Sequence, residues 1–437
     1  MSNEKAITLF WFRRDLRLHD NHGLYKALKE SGNVQPLFIF DTAILNKLED
    51  RTDRRVSFLF DRTKELGERL KEKGAVLWME RGRPIEVITR LIKDHPVKAI
   101  FTNHDHEPYA RKRDEQVRAL LEAHGVAFHT FKDQTVFERE EVVKDDGTPY
   151  TVFTPYARKW RERLKAEGLP AYPSEQVTGG WHRSTAQQHT ELSELGFERA
   201  AYEAGPMEPA ADLLKRYAAR RNTPGVVGTS RIGVHLRFGT VSVRDMVRLG
   251  LEHSSAWLNE LIWREFFMQI LWHFPHVEHG AFRKEYDAIP WRDDEAAFNA
   301  WCEGRTGYPL VDAGMRELLR TGFMHNRVRM VTASFLCKHL LINWQLGEAW
   351  FARWLMDFDL ASNNGNWQWA AGSGCDAAPY FRVFNPTLQL QRFDPKMAYV
   401  HQWAPEYGEL QFPHPIVDHA FARNRAIATY KQALNAR

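Results

Sequence analysis

The sequence has few cysteines and no long uncharged apolar segment, and each shortage argues against a class of protein. The three cysteines, Cys302, Cys337 and Cys375, are an odd number and lack the spacing of metal ligands. We therefore expect reduced, buried thiols in a cytoplasmic protein, with neither disulfides nor a metal site. No segment approaches the ~20 uncharged apolar residues of a membrane span. Arginines follow the apolar run at 6–11 at once, so no secretory signal is expected.

A large excess of charge of one sign is also missing, because 60 Lys and Arg against 56 Asp and Glu give a net charge of +4. This balance does not by itself indicate binding to nucleic acid. Residues 213–256 are nevertheless locally basic, with only Asp245 and Glu252 as acidic residues. The basic residues there are Lys215, Arg216, Arg220, Arg221, Arg231, Arg237, Arg244 and Arg248. The stretch is either a solvated helical face or a site for phosphates, and both interpretations stay open here.

The length of 437 residues predicts two or three domains. In residues 1–132, apolar runs typical of strands alternate with helical patterns. Strands are predicted at 7–12, 34–40, 75–80, 97–102 and 126–131, and the clearest helices at 53–74 and 108–124. Gly74 and Gly125 follow these two helices and are expected to end them. The alternation predicts an α/β domain with a doubly wound parallel sheet. No GxGxxG follows the first strand, although a ligand could still bind at the carboxyl ends of the strands.

The rest of the chain divides into a connector and a helical domain. Residues 133–205 are polar and rich in turn-forming residues, which predicts an inter-domain connector with one short helix at 155–167. Residues 206–437 carry helical patterns, which predicts an all-α C-terminal domain. Its helices are predicted at 208–221, 242–252, 255–272, 295–303, 312–321, 324–341, 346–358 and 420–434.

Tryptophan is unusually frequent in the helical part, which holds 11 of the 15 indoles after residue 250. Indoles usually fill cores, but a concentration in one half also suits stacking on a flat ligand or electron transfer. Glu260 and Trp263 are three residues apart on one helix and share a face. A carboxylate there is either solvated or bonded to a partner, because an unpaired buried charge is costly.

Polar side chains also cluster at two other places. Asn326, Arg327 and Met330 share one helical face, which is either solvated or the floor of a polar pocket, while Arg329 is expected to point elsewhere. The run 357–374 combines Asp357 and Asp359, expected to end a helix, with amides and two tryptophans. If that run is extended, its two tryptophans face opposite ways. The segment GTSRIG at 228–233 is a weak candidate for a phosphate cradle.

Taken together, these segments resemble the photolyase/cryptochrome family over nearly the whole chain. WFRRDLRLHDN at 11–21 resembles the family's opening. The long stretches at 306–330 and 357–386 match its most specific motifs. The closest resemblance is to the bacterial class I cyclobutane pyrimidine dimer (CPD) photolyases.

The resemblance implies FAD, active as FADH⁻, in the helical domain. In this family Arg329 would pair with Asp357, and Asn363 would face flavin N5. Asparagine there is typical of repair enzymes, whereas plant photoreceptors have Asp and insect ones Cys. The family loop commonly reads Thr-Ser-x-Leu-Ser-Pro, so Gly233 here offers only its backbone N–H. The residues implied for the cofactor are Tyr217, Thr229, Ser230, Arg231, Ile232, Gly233, Trp257, Arg264, Arg329, Asp357, Phe358, Asp359 and Asn363.

The implied activity is light-driven repair of cyclobutane pyrimidine dimers in UV-damaged DNA, by electron transfer from excited FADH⁻ to the flipped-out dimer. Glu260 would bond a base of the dimer and stabilise its radical anion. The residues implied for substrate and DNA are Glu260, Trp263, Asn326, Arg327, Met330 and Trp369. An electron relay from flavin to surface is implied for Trp367, Trp344 and Trp291, which complete the predicted catalytic set with Glu260 and Asn363.

Three alternatives stay open: a signalling cryptochrome, a (6-4) photolyase and a light-independent electron-transfer flavoprotein. Asn363 and the short stretch after the last predicted helix count against the cryptochrome. Family members hold an antenna pigment in the N-terminal domain, and 103–114, above all Glu107, is the candidate region here. The sequence does not identify that pigment. A monomer without an obligate protein partner or membrane attachment is expected.

Overall fold

The structure is a computed structural model that describes residues 5–183 and 190–435, so part of the predicted connector, 184–189, lies outside the described residues. It contains two compact units. The described residues of 1–142, 160–208 and 232–249 form the first unit, and those of 143–159, 209–231 and 250–437 form the second. Each unit is therefore built from segments that are far apart in the chain.

The first unit is an α/β unit around one parallel sheet. The strands are β1 (Ile7–Phe12), β2 (Val34–Asp41), β3 (Trp78–Gly82), β4 (Val97–Asn103) and β5 (Ala127–Phe131), in the order β3-β2-β1-β4-β5. Side chains alternate between the faces of a strand. Phe10 and Phe12 of β1 accordingly enter one buried cluster, whereas Leu9 and Trp11 enter the other. Apolar cores on both faces confirm the predicted doubly wound sheet.

The helices in the N-terminal half mostly follow the strands. They are α1 (His22–Lys26), α2 (Thr42–Leu45), α3 (Arg54–Glu72), α4 (Pro84–Asp94), α5 (Pro108–Ala123) and α6 (Phe153–Glu167). Gly74 and Gly125, just beyond α3 and α5, have φ of +76° and +67°, as predicted for residues that end a helix. β3 begins three residues later than expected, because the backbone N–H of Ala75 still bonds to Leu70 O at the end of α3.

The remaining helices complete the first unit and build the second. They are α7 (Ala211–Lys215), α8 (Tyr217–Arg220), α9 (Gly233–Phe238), α10 (Val243–His253), α11 (Ser255–His273), α12 (Glu295–Cys302), α13 (Pro309–Thr321), α14 (Asn326–Ser334), α15 (Trp344–Trp354), α16 (Leu360–Ala371), α17 (Pro386–Phe393), α18 (Ala398–Trp403) and α19 (His419–Asn435). A π-helical segment, Phe335–Leu340, continues α14.

Several predicted elements of the helical part were wrong in detail. The helix expected at 208–221 is broken at Arg216 into α7 and α8. The helix expected at 346–358 ends at Trp354, so Asp357 and Asp359 do not end it. Asp359 instead caps α16, where its side chain accepts from Ser362 N at 3.1 Å. The tryptophan-rich run is therefore helical, not extended.

The cysteine prediction holds for two of three residues. All three are free thiols. Cys302 and Cys337 are buried, whereas Cys375 is partly exposed, contrary to the expectation that all would be buried. Burial raises the pKa of each thiol to about 12, so they stay protonated near neutral pH. No helix in the described ranges is long and apolar enough to cross a membrane.

A buried network of four charged side chains lies within the first unit. Asp133 accepts from Arg17 Nη2 at 2.7 Å and from Arg244 Nη2 at 2.8 Å. Arg244 Nε also donates to Asp20 at 2.7 Å. Burial alone would raise the pKa of Asp133, but the two guanidinium groups hold it below its usual value. Arg244 was one of the candidate phosphate-binding residues, and this burial excludes it from that set.

Replacing Asp133 with alanine should destabilise the protein by about 3–5 kcal/mol, because it leaves buried arginines without their shared counter-ion. The measurement is the denaturation midpoint of purified protein in urea. Glu65→Ala is the matched control, since Glu65 is exposed and its ion pair with Arg62, one turn away, lies at the surface. Equal midpoints for the two variants would show that the buried network contributes nothing particular to stability.

Candidate active site

A cavity of about 340 Å³ lies within the second unit. It is formed by α11, α14, α15, α16 and the segment between α15 and α16. Its size suits a flat organic ligand. The lining residues are Arg221, Glu260, Trp263, Arg264, Phe267, Asn326, Arg329, Met330, Ala333, Phe351, Leu355, Asp357, Phe358, Asp359, Ser362, Asn363, Asn366, Trp367 and Trp369. Twelve of these are among the site residues predicted from the sequence.

An arginine–aspartate pair forms part of the cavity wall. Arg329 Nη2 donates to Asp357 Oδ2 at 2.9 Å, the pairing implied by the family resemblance. Arg329 Nε donates to Met324 O at 2.7 Å, which fixes the guanidinium. The other oxygen, Asp357 Oδ1, is buried without a hydrogen-bond partner among the described residues. Since a buried acceptor without a partner is costly, this oxygen is suited to a donor group of a ligand.

The amide of Asn363 is held in one orientation by Glu348. Asn363 Nδ2 donates to both the backbone oxygen and Oε1 of Glu348, each at 3.1 Å. This leaves the amide oxygen of Asn363 to accept from a ligand in the cavity, as a ring N–H requires. Burial raises the pKa of Glu348 to about 7, although the bond from Asn363 opposes the shift. Both acceptors, on Asn363 and Asp357, fit a reduced flavin.

Glu260 in α11 forms an ion pair with Arg221 at the cavity. The sequence left open whether this carboxyl is solvated or bonded, and the structure shows it bonded. Burial raises the pKa of Glu260, and the cation of Arg221 only partly offsets this. The cavity therefore contains a carboxyl group that is more easily protonated than an exposed glutamate.

Aromatic side chains form the walls around this ion pair. The ring of Trp263 stacks on Phe153 with centroids 3.6 Å apart and an interplanar angle of 6°. Trp369 lies 6.3 Å from Phe384, ring centroid to ring centroid. Both indoles line the cavity and are partly exposed, which leaves surface for a flat group to stack on.

The predicted cofactor residues between 217 and 257 do not line the cavity. Trp257 Nε1 donates to Ser230 Oγ at 3.1 Å, which ties the loop to α11. Arg231 has a φ of +51°, and its guanidinium lies 4.3 Å from the Phe323 ring centroid. Tyr217 is buried, and burial raises its pKa. The other predicted residues of this loop, Thr229, Ile232 and Gly233, are also absent from the cavity lining. The division between the two units falls between Arg231 and Ile232.

One prediction about α14 was wrong. The sequence pattern placed Arg327 on one face with Asn326 and Met330, and Arg329 on another. In the structure Asn326, Met330 and Arg329 line the cavity, whereas Arg327 does not. Arg327 Nη2 bonds instead to Asn222 Oδ1 at 2.9 Å. The cause is side-chain length, because long guanidinium groups reach past the face that carries their Cα atoms.

The three predicted relay tryptophans belong to one hydrophobic cluster. Trp367 lines the cavity and is 2% exposed, Trp344 is 4% exposed, and Trp291 is partly exposed at the edge of the cluster. Trp367 also packs edge-on against Phe351, at 4.9 Å between centroids. A Cβ at position 347 would come within 2.2 Å of the Trp367 ring, so a glycine is required there.

Sequence reasoning missed four residues that matter to the geometry: Arg221, Glu348, Phe351 and Ser362. Of these four, only Arg221 was indicated by the sequence, since it lies in the basic stretch at 213–256.

In the first unit, the antenna candidate Glu107 accepts from Arg14 Nη1 at 2.9 Å and from Arg237 Nη1 at 2.7 Å. Its carboxylate is thus bound by two arginines at the carboxyl-terminal side of the sheet.

Comparison with known families gives two matches that together cover most of the chain. The family described as DNA photolyase matches residues 8–174. The family described as the FAD binding domain of DNA photolyase matches residues 257–411, which include the whole cavity except Arg221.

Individual relatives extend the similarity to nearly the full length. The chain is 36% identical over 480 residues to a deoxyribodipyrimidine photo-lyase of Halobacterium salinarum, covering 98% of this chain and 99% of that protein. The crystal structure of a class III photolyase from Agrobacterium tumefaciens matches with a TM-score of 0.85 and 33% identity, covering 99% and 98% of the two chains. An archaeal photolyase from Sulfolobus tokodaii, solved with two FAD molecules, matches with a TM-score of 0.86 and 33% identity over 98% of this chain and 100% of that chain.

Proposed function

This chain belongs to the DNA photolyase family, and we propose that it uses light to split cyclobutane pyrimidine dimers in DNA, with FAD as its cofactor. One observation carries this proposal. A single cavity combines acceptors suited to a reduced flavin, on Asp357 and Asn363, with the aromatic walls of Trp263 and Trp369. Such a site can hold a donor of electrons next to two stacked pyrimidines.

When bound, reduced FAD supplies the electron that light transfers to the dimer. The protein's own groups hold and orient the reactants. Asp357, whose other carboxylate oxygen is bonded by Arg329, would accept from a ring N–H, and Asn363 would offer its amide oxygen because Glu348 occupies the amide N–H group. Arg264, Phe358 and Asp359 complete the cofactor side of the cavity in this proposal. The loop at 228–233, together with Tyr217 and Trp257, would bind the diphosphate of the cofactor.

The dimer must leave the DNA helix to reach the cavity, and a damaged step unstacks at less cost than an intact one. Trp263 and Trp369 would stack against the flipped bases. Glu260 would accept from a base N–H, or donate to a base carbonyl when its carboxyl is protonated. Asn326 is exposed at the start of α14 and would contact the same nucleotide. Met330 supplies an adaptable apolar surface, and Arg327, away from the cavity lining, would contact a phosphate.

The proposal also covers the photolyase class, a second chromophore, the domain limits and the oligomeric state. We propose class I because the sequence resembles the bacterial class I enzymes; the class III enzyme of Agrobacterium tumefaciens is 33% identical to this chain. A second chromophore, of unidentified chemistry, is proposed for the N-terminal domain beside Glu107. We also propose the domain limits 1–132, 133–205 and 206–437, and a cytoplasmic monomer whose partner is UV-damaged DNA.

The proposal is tested with an oligonucleotide that carries one thymine dimer. Reduced protein should restore the undamaged strand under blue light and leave the lesion intact in the dark, as measured by chromatography of the DNA. Restoration in the dark, or none under light by protein that contains reduced FAD, would contradict the proposed activity.

Glu260→Ala should lower repair per absorbed photon severalfold while weakening binding to damaged DNA much less. Burial raises the pKa of Glu260, which favours the protonated carboxyl, and only this form can donate a hydrogen bond to the developing anion of the dimer. The measurements are repair quantum yield and Kd for the same oligonucleotide. Arg221→Ala is the control for loss of the ion pair alone. If both variants lower the yield equally, Glu260 acts only through Arg221.

A further inference from the structure

A phenylalanine outside the cavity supports one of its aromatic walls. Phe153, at the start of α6, is 7% exposed and does not belong to the described residues that line the cavity. Its ring lies almost parallel to the indole of Trp263, at an angle of 6°, with ring centroids 3.6 Å apart. One face of this indole is therefore covered, and only the opposite face and the ring edge remain for a ligand in the cavity.

The arrangement of these two rings is not the one that an isolated aromatic pair prefers. Aromatic pairs favour an offset or edge-on geometry over nearly complete overlap. The neighbouring ring of Phe266 shows the preferred geometry, since it meets Phe153 at 80° and Trp263 at 85°. The surrounding structure therefore holds Phe153 against the indole.

A carboxylate from a distant part of the chain anchors Phe153. The backbone N–H of Phe153 donates to Asp376 Oδ2 at 3.0 Å. This N–H belongs to the first turn of α6, where the amides have no partner within the helix and a carboxylate is favoured. Trp369 is in α16, and Asp376 is in the loop that follows this helix. Asp376 thus connects the support of one aromatic wall to the segment that carries the other.

Free space beside Trp263 makes this support important. A second cavity, of about 20 Å³, is lined by Trp263, Phe267, Trp369 and Asp376 among others. Its volume is enough for about one water molecule, so close packing does not fix the indole on that side. The plane of the indole then depends on Phe153 and on the bond that anchors it.

We propose that Phe153 is a positioning residue for the DNA lesion, and that it holds Trp263 in the plane in which the indole stacks on a flipped base. The inference rests on the proposed function, in which Trp263 contacts the dimer. A side chain that is already fixed loses less conformational freedom on binding, so the complex is tighter. Phe153 itself contacts neither the dimer nor the cofactor in this proposal. It should therefore affect binding of the lesion more than the yield of repair once the lesion is bound.

The experiment measures, in the dark, Kd for an oligonucleotide with one thymine dimer and for the same strand without damage, using protein that contains FAD. Phe153→Leu removes the flat ring and keeps an apolar side chain. It should weaken binding to the dimer about 3- to 10-fold, as expected when one side chain becomes mobile, and leave binding to undamaged DNA unchanged. Repair per absorbed photon at saturating DNA should change much less than Kd.

Tyr156→Leu is the matched control for loss of a buried ring. Tyr156 is 1% exposed, also lies in α6, and packs on Phe266 with ring centroids 5.3 Å apart. Its replacement should lower the denaturation midpoint in urea but keep the preference for the dimer over undamaged DNA. A purely structural role of Phe153 would instead give the two variants the same behaviour.

Two further comparisons separate positioning from a general loss of packing. In a Trp263→Ala background, Phe153→Leu should have no further effect on the preference for the dimer, because its effect passes through the indole. Asp376→Ala should reduce that preference in the same direction as Phe153→Leu. Asp376→Asn keeps an acceptor for the N–H of Phe153 and should restore the preference.

An unchanged preference for the dimer in Phe153→Leu, or an equal loss in Tyr156→Leu, would overturn the inference and leave the proposed function standing. Additive effects of Phe153→Leu and Trp263→Ala would overturn it as well. An unaltered protein without any preference for the dimer would overturn both the inference and the proposed function. If Phe153→Leu does not fold, Asp376→Ala decides, and an unchanged preference in that variant would overturn the inference.

Discussion

Trp367→Phe should abolish the light-driven reduction of oxidised FAD while leaving repair by chemically pre-reduced protein close to its original rate. Indole is oxidised more readily than a phenyl ring, and a chain of indoles divides one long electron transfer into short steps. Trp367 is the only member of the proposed relay on the cavity wall, so the chain cannot start without it. The measurement is the absorption spectrum of the flavin during illumination with an external reductant.

Trp301→Phe provides the matched control for this prediction. Trp301 is fully buried and packs against Trp367 with centroids 6.1 Å apart, but it is not part of the proposed relay. It should therefore keep photoreduction, even though the substitution changes the same region of the core. If Trp367→Phe retains photoreduction at the original rate, or if Trp301→Phe loses it equally, the assignment of the relay is wrong.

Repair should be restricted to cyclobutane dimers, with no useful activity on (6-4) photoproducts. Repair of a (6-4) product transfers an oxygen between bases and therefore needs proton transfer, for which that branch of the family has two histidines on one helix face. The matching positions here are Asn326 and Met330, four residues apart on α14, and both line the cavity. Neither side chain can act as a general acid near neutral pH.

The nearby His325 does not replace these histidines. It is buried and precedes α14, where its Nδ1 accepts from Arg327 N at 3.2 Å. Burial and the surrounding arginines lower the pKa of His325 to about 4, so the ring is neutral at physiological pH. It is also absent from the cavity lining. A proton donor for the (6-4) reaction is therefore missing from this part of the described site.

Two oligonucleotides, each with one defined lesion, provide the test. Reduced protein is illuminated with each, and the fraction of restored strand is measured over the same range of light doses. The cyclobutane substrate serves as the positive control for cofactor content and light dose. Efficient restoration of the (6-4) strand would show that a proton donor other than His325 operates in the site.

Local sequence patterns were sufficient to predict those elements of the fold that depend mainly on one factor, such as apolar burial or a positive φ. The alternation of apolar strands and helices predicted the parallel sheet, because strands buried on both faces leave few other arrangements. The glycines after α3 and α5 were equally predictable, since a positive φ excludes most other residues. The dense motif at 357–386 pointed to the family and to Asn363, Trp367 and Trp369 without any coordinates.

The sequence by itself therefore determined the class of fold, the family and most of the cavity lining. Tertiary structure decided how side chains share partners. Glu348 lies 15 positions before Asn363 in the chain, yet it fixes the orientation of that amide. Arg221 and Glu260 are likewise distant in sequence and paired in space. The physical reason is that protonation and orientation depend on burial and on neighbours from other helices, and neither quantity is encoded in the spacing along one helix.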